Sequence, residues 1–196
     1  MPRTEITRDD TLPMERYLAI RREKRAEMAE LKRNRRVAVG PHATFYFESW
    51  DTMWYQVHEM LAIERGGEEQ IDDELDAYNP LIPNGAELVA TVMFEIDNPV
   101  QRKAVLGKLG GVEETMYLEI AGQRVMARPE EDVDRTTADG KASSVQFVHF
   151  GLTPEQVARF REPGTEVVIG VAHPEYGHMA RIPEEVRAAL AGDLAG

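Results

Sequence analysis

The sequence contains no cysteine. It therefore forms no disulfide bond and offers no thiolate nucleophile and no cysteine-ligated zinc, haem or iron–sulfur site. Any metal ion would have to be bound by histidine and carboxylate side chains. The sequence also lacks any apolar run approaching the ~20 residues of a membrane helix, and its first residues do not resemble a signal peptide. We therefore expect a cytoplasmic, bacterial-looking protein without a membrane segment.

Motifs of several common enzyme classes are missing as well. There is no Gly-x-Ser-x-Gly nucleophile motif and no phosphate-loop lysine motif. The acidic stretch that contains Asp132, Asp134 and Asp139 has Thr137 at the position where a calcium loop requires glycine. No catalytic residue is identified, which favours a non-enzymatic function.

The most informative feature that is present is a reversal of charge. The segment from Arg16 to Arg36 has nine basic and three acidic residues, so its net charge is +6, whereas the rest of the chain carries −18. A helix is predicted from about Leu12 to about Asn34, with an apolar seam and otherwise charged faces. Such a helix is either docked on the remaining fold with a solvated outer face or used as a binding surface.

Periodicity further along the chain predicts strands mixed with helices. Alternating apolar residues from Val37 to Phe47 indicate a strand that is bent or broken at Gly40-Pro41, and further strands alternate with capped helices. Ser49 or Asp51 is predicted to cap one helix, and Thr153-Pro154-Glu155-Gln156 forms a capping box for another. Two later strands have the spacing of a tight hairpin with Ala121-Gly122 at its turn. The pattern predicts an α+β fold, with a mostly antiparallel sheet of about 5 to 7 strands, interspersed helices and a long N-terminal helix. We expect residues 1–35 to form a basic helical arm and residues 36–196 a single α+β domain.

An acidic counterpart to the basic segment lies between Glu68 and Asp76, which contains six acidic residues and no basic residue. The two segments could pair within one fold or across a homodimer, or the basic helix could bind an external protein. Nucleic-acid binding is a weaker alternative, because the acidic remainder would repel a polyanion. The predicted partner-binding residues are Arg21, Arg22, Arg25, Arg33, Arg35, Arg36, Asp72, Asp73 and Asp76.

Two groups of histidine and glutamate residues are candidates for a metal site. The sequence His-Pro-Glu-Tyr-Gly-His and a preceding strand supply His149, His173, Glu175 and His178, which could bind zinc or iron. The alternatives are a hairpin turn with surface histidines and a hydrogen-bonded core histidine. His58 and Glu59 are adjacent on a predicted helix, so they point in different directions and do not match a di-iron motif.

Four stretches of the sequence resemble a known family. They are Asn34-Arg35-Arg36-Val37-Ala38-Val39-Gly40-Pro41, Glu59-Met60-Leu61, Asp73-Glu74-Leu75-Asp76-Ala77-Tyr78-Asn79-Pro80-Leu81-Ile82-Pro83 and His173-Pro174-Glu175-Tyr176. Together they are similar to the bacterial domain-of-unknown-function family numbered 3501, over nearly the whole chain. That family has no established activity, so the resemblance implies membership of the family but no mechanism.

Members of that family are often encoded near rubrerythrin-like di-iron proteins and iron–sulfur oxidoreductases. The resemblance therefore implies an accessory or docking protein in oxidative-stress defence, with such a redox protein as its partner. Our leading interpretation is a cytoplasmic, non-enzymatic protein that binds another protein through its charged helices. The alternative is a metal-binding protein or metal-dependent enzyme that uses the histidine and glutamate residues named above.

Overall fold

The chain alternates short helices with antiparallel strands, which confirms the predicted α+β class. The computed structural model describes residues 2–130 and 140–195, and the acidic stretch with Asp132, Asp134 and Asp139 lies outside them. The helices described are α1 (Met14–Arg33), α2 (Trp50–Glu64), α3 (Gln70–Tyr78), α4 (Pro99–Leu106), α5 (Pro154–Arg161) and α6 (Glu184–Ala191). The strands described are β1 (Arg36–Val39), β2 (Ala43–Phe47), β3 (Glu87–Phe94), β4 (Met116–Ile120), β5 (Gln123–Met126), β6 (Arg128–Pro129), β7 (Val145–Gly151), β8 (Val167–His173) and β9 (Tyr176–Arg181).

The starts of several helices follow from side chains that satisfy free backbone N–H groups. The Ser49 hydroxyl accepts from the Thr52 N–H at the start of α2, and the Asn98 side chain accepts from two N–H groups at the start of α4. At the start of α5, Thr153 and Gln156 form the capping box that the sequence predicts. Each cap supplies hydrogen bonds that the first turn of a helix otherwise lacks.

The strands form two antiparallel sheets, where the sequence pattern indicated one. The first sheet has the order β1-β2-β3-β7-β6, and the second has the order β5-β4-β8-β9. The strands divide into two sheets at residues 123–129. The first part of this segment, β5, pairs with β4 of the second sheet, and its last part, β6, pairs with β7 of the first sheet. Periodicity shows which residues share a face of a strand, but it does not show which strands pair.

The tight hairpin predicted between β4 and β5 is confirmed. Ala121 and Gly122 form its turn, with φ angles of 48° and 82°. Two central residues with positive φ are the mark of a type I′ turn, whose twist matches that of the flanking strands.

The main hydrophobic core lies between the two sheets. It is built from the inward-facing residues of both sheets, including Phe45, Val92, Phe150, Leu118 and Ile169, all of which are fully buried. Helices α5 and α6 add Phe160 and Leu190 to the same core. Burial of this apolar surface is the dominant stabilising contribution to the fold.

A second, smaller core lies on the outer face of the first sheet. Val89 on β3 packs there with Val57 and Leu61 of α2 and Leu75 of α3. As a result β3 is buried on both faces. Helix α1 packs in turn against α2, so it lies on the outside of this helical layer.

None of the helices in the described segments combines the length and the apolar character that crossing a membrane would need.

Candidate functional site

The structure does not bring the four predicted metal ligands together. His149 lies on β7 of the first sheet, whereas His173, Glu175 and His178 lie at the β8–β9 hairpin of the second. The Nε2 atom of His173 lies 3.2 Å from the carbonyl oxygen of Gly110, and its Nδ1 atom accepts from the Glu175 N–H at 3.2 Å. Within residues 2–130 and 140–195 no group of three or more histidine, aspartate or glutamate residues is arranged to hold a metal ion.

Tyr176 gives the β8–β9 hairpin a structural role. Its buried hydroxyl donates to the carbonyl oxygen of Val39 at 2.7 Å and accepts from the N–H groups of His42 and Ala43 at 2.9 and 2.8 Å. This hydroxyl therefore connects the turn between β1 and β2 of the first sheet to the second sheet. The motif that suggested metal ligands is thus a hairpin whose tyrosine links the two sheets.

His149 is held between two carboxylates at the edge of the first sheet. Its Nδ1 atom lies 3.3 Å from Glu87 and its Nε2 atom lies 2.7 Å from Glu130. Both ring nitrogens can donate to carboxylates only when the imidazole is protonated. The hydrogen bond to the buried Glu87, followed by that to Glu130, raises the pKa of His149 above its ordinary value against the effect of burial.

A raised pKa makes the contribution of His149 to stability dependent on pH. The contribution is fully present below the unfolded-state pKa of about 6.5 and is lost as the pH rises through the higher pKa of the folded state. We expect His149→Gln to lower the free energy of unfolding by about 1–2 kcal/mol near pH ~5.5 and by less near pH ~9. Urea unfolding at both pH values would measure the difference.

His42→Gln is the matched control for this measurement, because the His42 ring stacks on Tyr176 and forms no pair with a carboxylate among the described residues. It should change stability little, and equally at both pH values. An effect of His149→Gln that is the same at both pH values, or larger at the higher one, would show that the imidazole is not held as a cation.

The basic helix α1 is fixed to α2 by one carboxylate. Glu59 of α2 accepts from the Tyr17 hydroxyl at 2.7 Å and from two guanidinium nitrogens of Arg21 at 2.8 and 2.9 Å. Arg25 lies 3.7 Å from the same carboxylate. Arg21 keeps the pKa of Glu59 below its ordinary range although the residue is buried. Tyr17 is fully buried, and burial raises the pKa of its phenol.

The remaining predicted basic residues divide into paired and unpaired groups. Arg35 is buried and pairs with Asp193 near the end of the chain, and Arg33 forms an exposed pair with Glu30 on its own helix. Arg22 and Arg36 are exposed and form no ion pair within the described residues.

Within one copy of the chain, no ion pair joins α1 to the segment from Glu68 to Asp76 among the described residues; pairing across a homodimer stays a prediction. Asp72 pairs with Arg8, which precedes α1, at 2.6 and 2.7 Å. Asp73 and Asp76 form no ion pair with any described residue. The physical reason is that Glu59 lies directly beneath α1, so the inward-facing arginines of α1 are neutralised there.

His58 has a structural role that was not predicted from the sequence. It is fully buried, its Nδ1 atom donates to the carbonyl oxygen of Trp54 at 2.7 Å, and its Nε2 atom accepts from the N–H of Leu12 at 2.9 Å. Burial lowers the pKa of His58, which is consistent with a neutral ring. The signal was present, because His58 follows Trp54 by four residues and therefore lies on the same helix face.

One surface of the helical layer is both basic and partly apolar. Leu18 and Ile63 are 51% and 62% exposed, and the exposed Arg22, Arg25 and Arg33 follow Leu18 along α1. Leu18 is one turn from Arg21, and Ile63 is one turn from Glu59, so the two apolar residues flank the ion pair that joins the helices. We call the five residues Leu18, Arg22, Arg25, Arg33 and Ile63 the basic face.

Comparisons with known proteins identify a family and a solved structure that are both described as being of unknown function. A family model described as "Protein of unknown function (DUF3501)" matches residues 5–194. A crystal structure of a novel protein of unknown function from Burkholderia pseudomallei is 40% identical in sequence and superimposes with a TM-score of 0.90. The match covers 97% of this chain and 99% of that chain. No match is found among curated proteins.

Proposed function

The chain belongs to DUF3501, a family of proteins of unknown function, and we propose that it is a cytoplasmic accessory protein that binds an acidic partner protein through the basic face. The single observation that supports this proposal is the exposed side of α1. Arg22 has no ion-pair partner within the described residues, and Arg25 and Arg33 are each about two-thirds exposed. The charge of Arg22 is thus unpaired in the described residues, and Arg25 and Arg33 remain accessible to a partner although they lie near Glu59 and Glu30.

The charges are sorted around the circumference of α1. Arg22, Arg25 and Arg33 are separated by three and eight residues, which places them within one stripe of an α-helix. Glu23 is rotated away from this stripe, and Glu30 lies at its edge, where it pairs with Arg33. A helix that displays its charges in separate stripes favours one orientation of an oppositely charged partner, because complementary potentials guide association and suppress wrong contacts.

The exposed apolar residues make this surface suitable for a protein in particular. Protein interfaces combine an apolar centre with a polar rim, and arginine is enriched in them. Here Leu18 and Ile63 would supply apolar contacts, and the three arginines would supply charged ones. A surface that bound only nucleic-acid phosphates would need the charges but not the two exposed aliphatic side chains.

The partner class that we propose is a redox protein of the rubrerythrin-like or iron–sulfur oxidoreductase type. The sequence resemblance implies such a neighbour, and the chain itself has no thiol for redox chemistry. In this proposal the chain docks on a protein that carries the electrons, and the basic face is the part that makes contact.

A charge-reversal experiment tests the proposal. The double variant Arg22→Glu/Arg33→Glu leaves the contacts of Arg21 and Arg25 with Glu59 in place. We expect it to weaken binding to the purified rubrerythrin-like or iron–sulfur protein of the same organism by at least about tenfold, which corresponds to about 1.4 kcal/mol. Binding of the unchanged protein should weaken as salt is added, because these charges are exposed.

The matched control is Lys103→Glu/Lys108→Glu, which changes the net charge by the same amount at exposed positions in and after α4. It should leave the dissociation constant unchanged. If both double variants weakened binding equally, the effect would come from the net charge and not from the basic face. Failure of both redox proteins to bind, or preferential binding of duplex DNA, would contradict the proposal, and size-exclusion chromatography would show whether a second copy of the chain is the partner instead.

A further inference from the structure

A pocket of about 390 Å³ lies between the helical layer and the outer face of the first sheet. Pockets that bind small molecules have volumes of about 300–1,000 Å³ and combine apolar walls with a few fixed polar groups. The apolar walls of this pocket are formed by Met53, Leu81, Met93, Val145 and Phe147. Methionine side chains adapt their shape readily, so two of these walls can adjust to an occupant.

One buried carboxylate lines this pocket, together with the polar residues Lys32, Tyr46, Gln56, Tyr78 and Thr91. Glu48 is only 7% exposed, and its two carboxylate oxygens accept hydrogen bonds from the hydroxyls of Thr91 and Thr52, each at 2.6 Å. The two hydroxyls fix the orientation of the carboxylate. Each oxygen can accept a further hydrogen bond, because a carboxylate has about four lone-pair sites.

No cationic side chain of the described residues forms an ion pair with Glu48. Arg35 is nearby, but it donates to the backbone carbonyl of Glu48, and its charge is paired with Asp193. Lys32 also lines the pocket, yet its ammonium group lies over the ring of Tyr55, 5.9 Å from the centroid, and Tyr55 is not part of the pocket. A carboxylate in a buried position is costly unless a cation or several donors compensate it.

We propose that this pocket binds a small amine with an apolar body, whose ammonium group donates to Glu48. The ammonium group supplies the cation that the protein side chains do not, and the apolar body contacts Met93 and Phe147. Neither the basic face nor the acidic partner is involved, so this site is independent of the proposed function.

Ligand titrations followed by amide NMR spectra test the inference with phenethylamine, phenethyl alcohol and hydrocinnamate as probes. We expect saturable binding of phenethylamine and at least about tenfold weaker binding of the neutral alcohol, because hydrogen bonds to charged groups exceed neutral ones. Hydrocinnamate should not bind, because its carboxylate would face Glu48. The shifted amides should lie around the pocket, in α2, β3 and β7.

Variants separate the role of Glu48 from general loss of structure. Glu48→Gln should bind the amine no better than the alcohol, and Met93→Trp, at a position that is 37% exposed, should fill the pocket and abolish both. Glu95→Gln is the matched control, because Glu95 also accepts from two hydroxyls, those of Thr44 and Tyr46, but lies outside the pocket lining. Tyr46 does line the pocket, and glutamine keeps an oxygen that accepts from its hydroxyl. Equal binding of amine and alcohol, full amine binding by Glu48→Gln, or no saturable binding of any probe would overturn the inference.

Discussion

Replacing Arg35 with methionine is expected to lower the free energy of unfolding by about 3–5 kcal/mol, the range for removing one partner of a buried ion pair. The Arg35 side chain is 8% exposed and that of Asp193 is 14% exposed. Arg35 also donates to the backbone carbonyls of Phe47 and Glu48, at 3.0 and 2.8 Å. The substitution therefore leaves a carboxylate and two carbonyl groups without this donor, although methionine retains much of the packing volume.

The neighbouring residue supplies the control for this substitution. Arg36 is exposed and starts β1 without an ion pair in the described residues, so Arg36→Met should change stability by less than about 0.5 kcal/mol. Combining Arg35→Met with Asp193→Leu should recover part of the loss, because burial already raises the pKa of Asp193 and the double variant removes that costly carboxylate. Chemical unfolding would measure all three, and an Arg35→Met loss as small as that of Arg36→Met would contradict this interpretation.

Replacing Glu59 with alanine is expected to release α1 from α2 at a cost of about 2–3 kcal/mol. This figure is below the usual range for a broken buried pair because the Arg21 side chain is 32% exposed and is partly screened by water. The substitution leaves the buried Tyr17 hydroxyl without its acceptor and removes the charge that neutralises Arg21 and Arg25. Amide hydrogen exchange in Met14–Arg33 should accelerate more than exchange in β3.

Glu64→Ala, on the same helix, is the control for Glu59→Ala. Glu64 is exposed and accepts one hydrogen bond from Gln70, so its loss should cost less than about 0.5 kcal/mol and leave exchange in α1 unchanged. Unchanged protection of α1 in Glu59→Ala would mean that the apolar contacts of Met28 and the Tyr17 ring hold the helix, and that the ion pair does not.

The sequence predicted the local elements well because their causes are local. The bend at Gly40-Pro41, the caps at Ser49 and Thr153 and the hairpin turn at Ala121-Gly122 depend on residues next to one another in the chain. The division into two sheets could not be predicted in the same way, since it depends on which distant strands exchange hydrogen bonds.

The ion pairs of α1 show why the candidate site was only partly predictable. Net charge suggested that the helix would meet the acidic segment from Glu68 to Asp76, yet the pairing depends on which carboxylate lies beneath the helix. Glu59 has that position, and it is a single acidic residue in a mixed stretch of α2. The role of the buried Glu48 was not predicted for the same reason. Its partner Thr52 is close in sequence, but its other partner, Thr91, lies on β3 and is 43 residues away.

The most direct test of the central claim is a hydrogen-exchange footprint of the chain in complex with the redox partner. We expect slower exchange in α1 and at the end of α2 around Ile63, no change in α5 and β9, and loss of this footprint in Arg22→Glu/Arg33→Glu. A footprint on the β8–β9 hairpin or on α5, with α1 unchanged, would contradict the claim that the basic face is the binding surface.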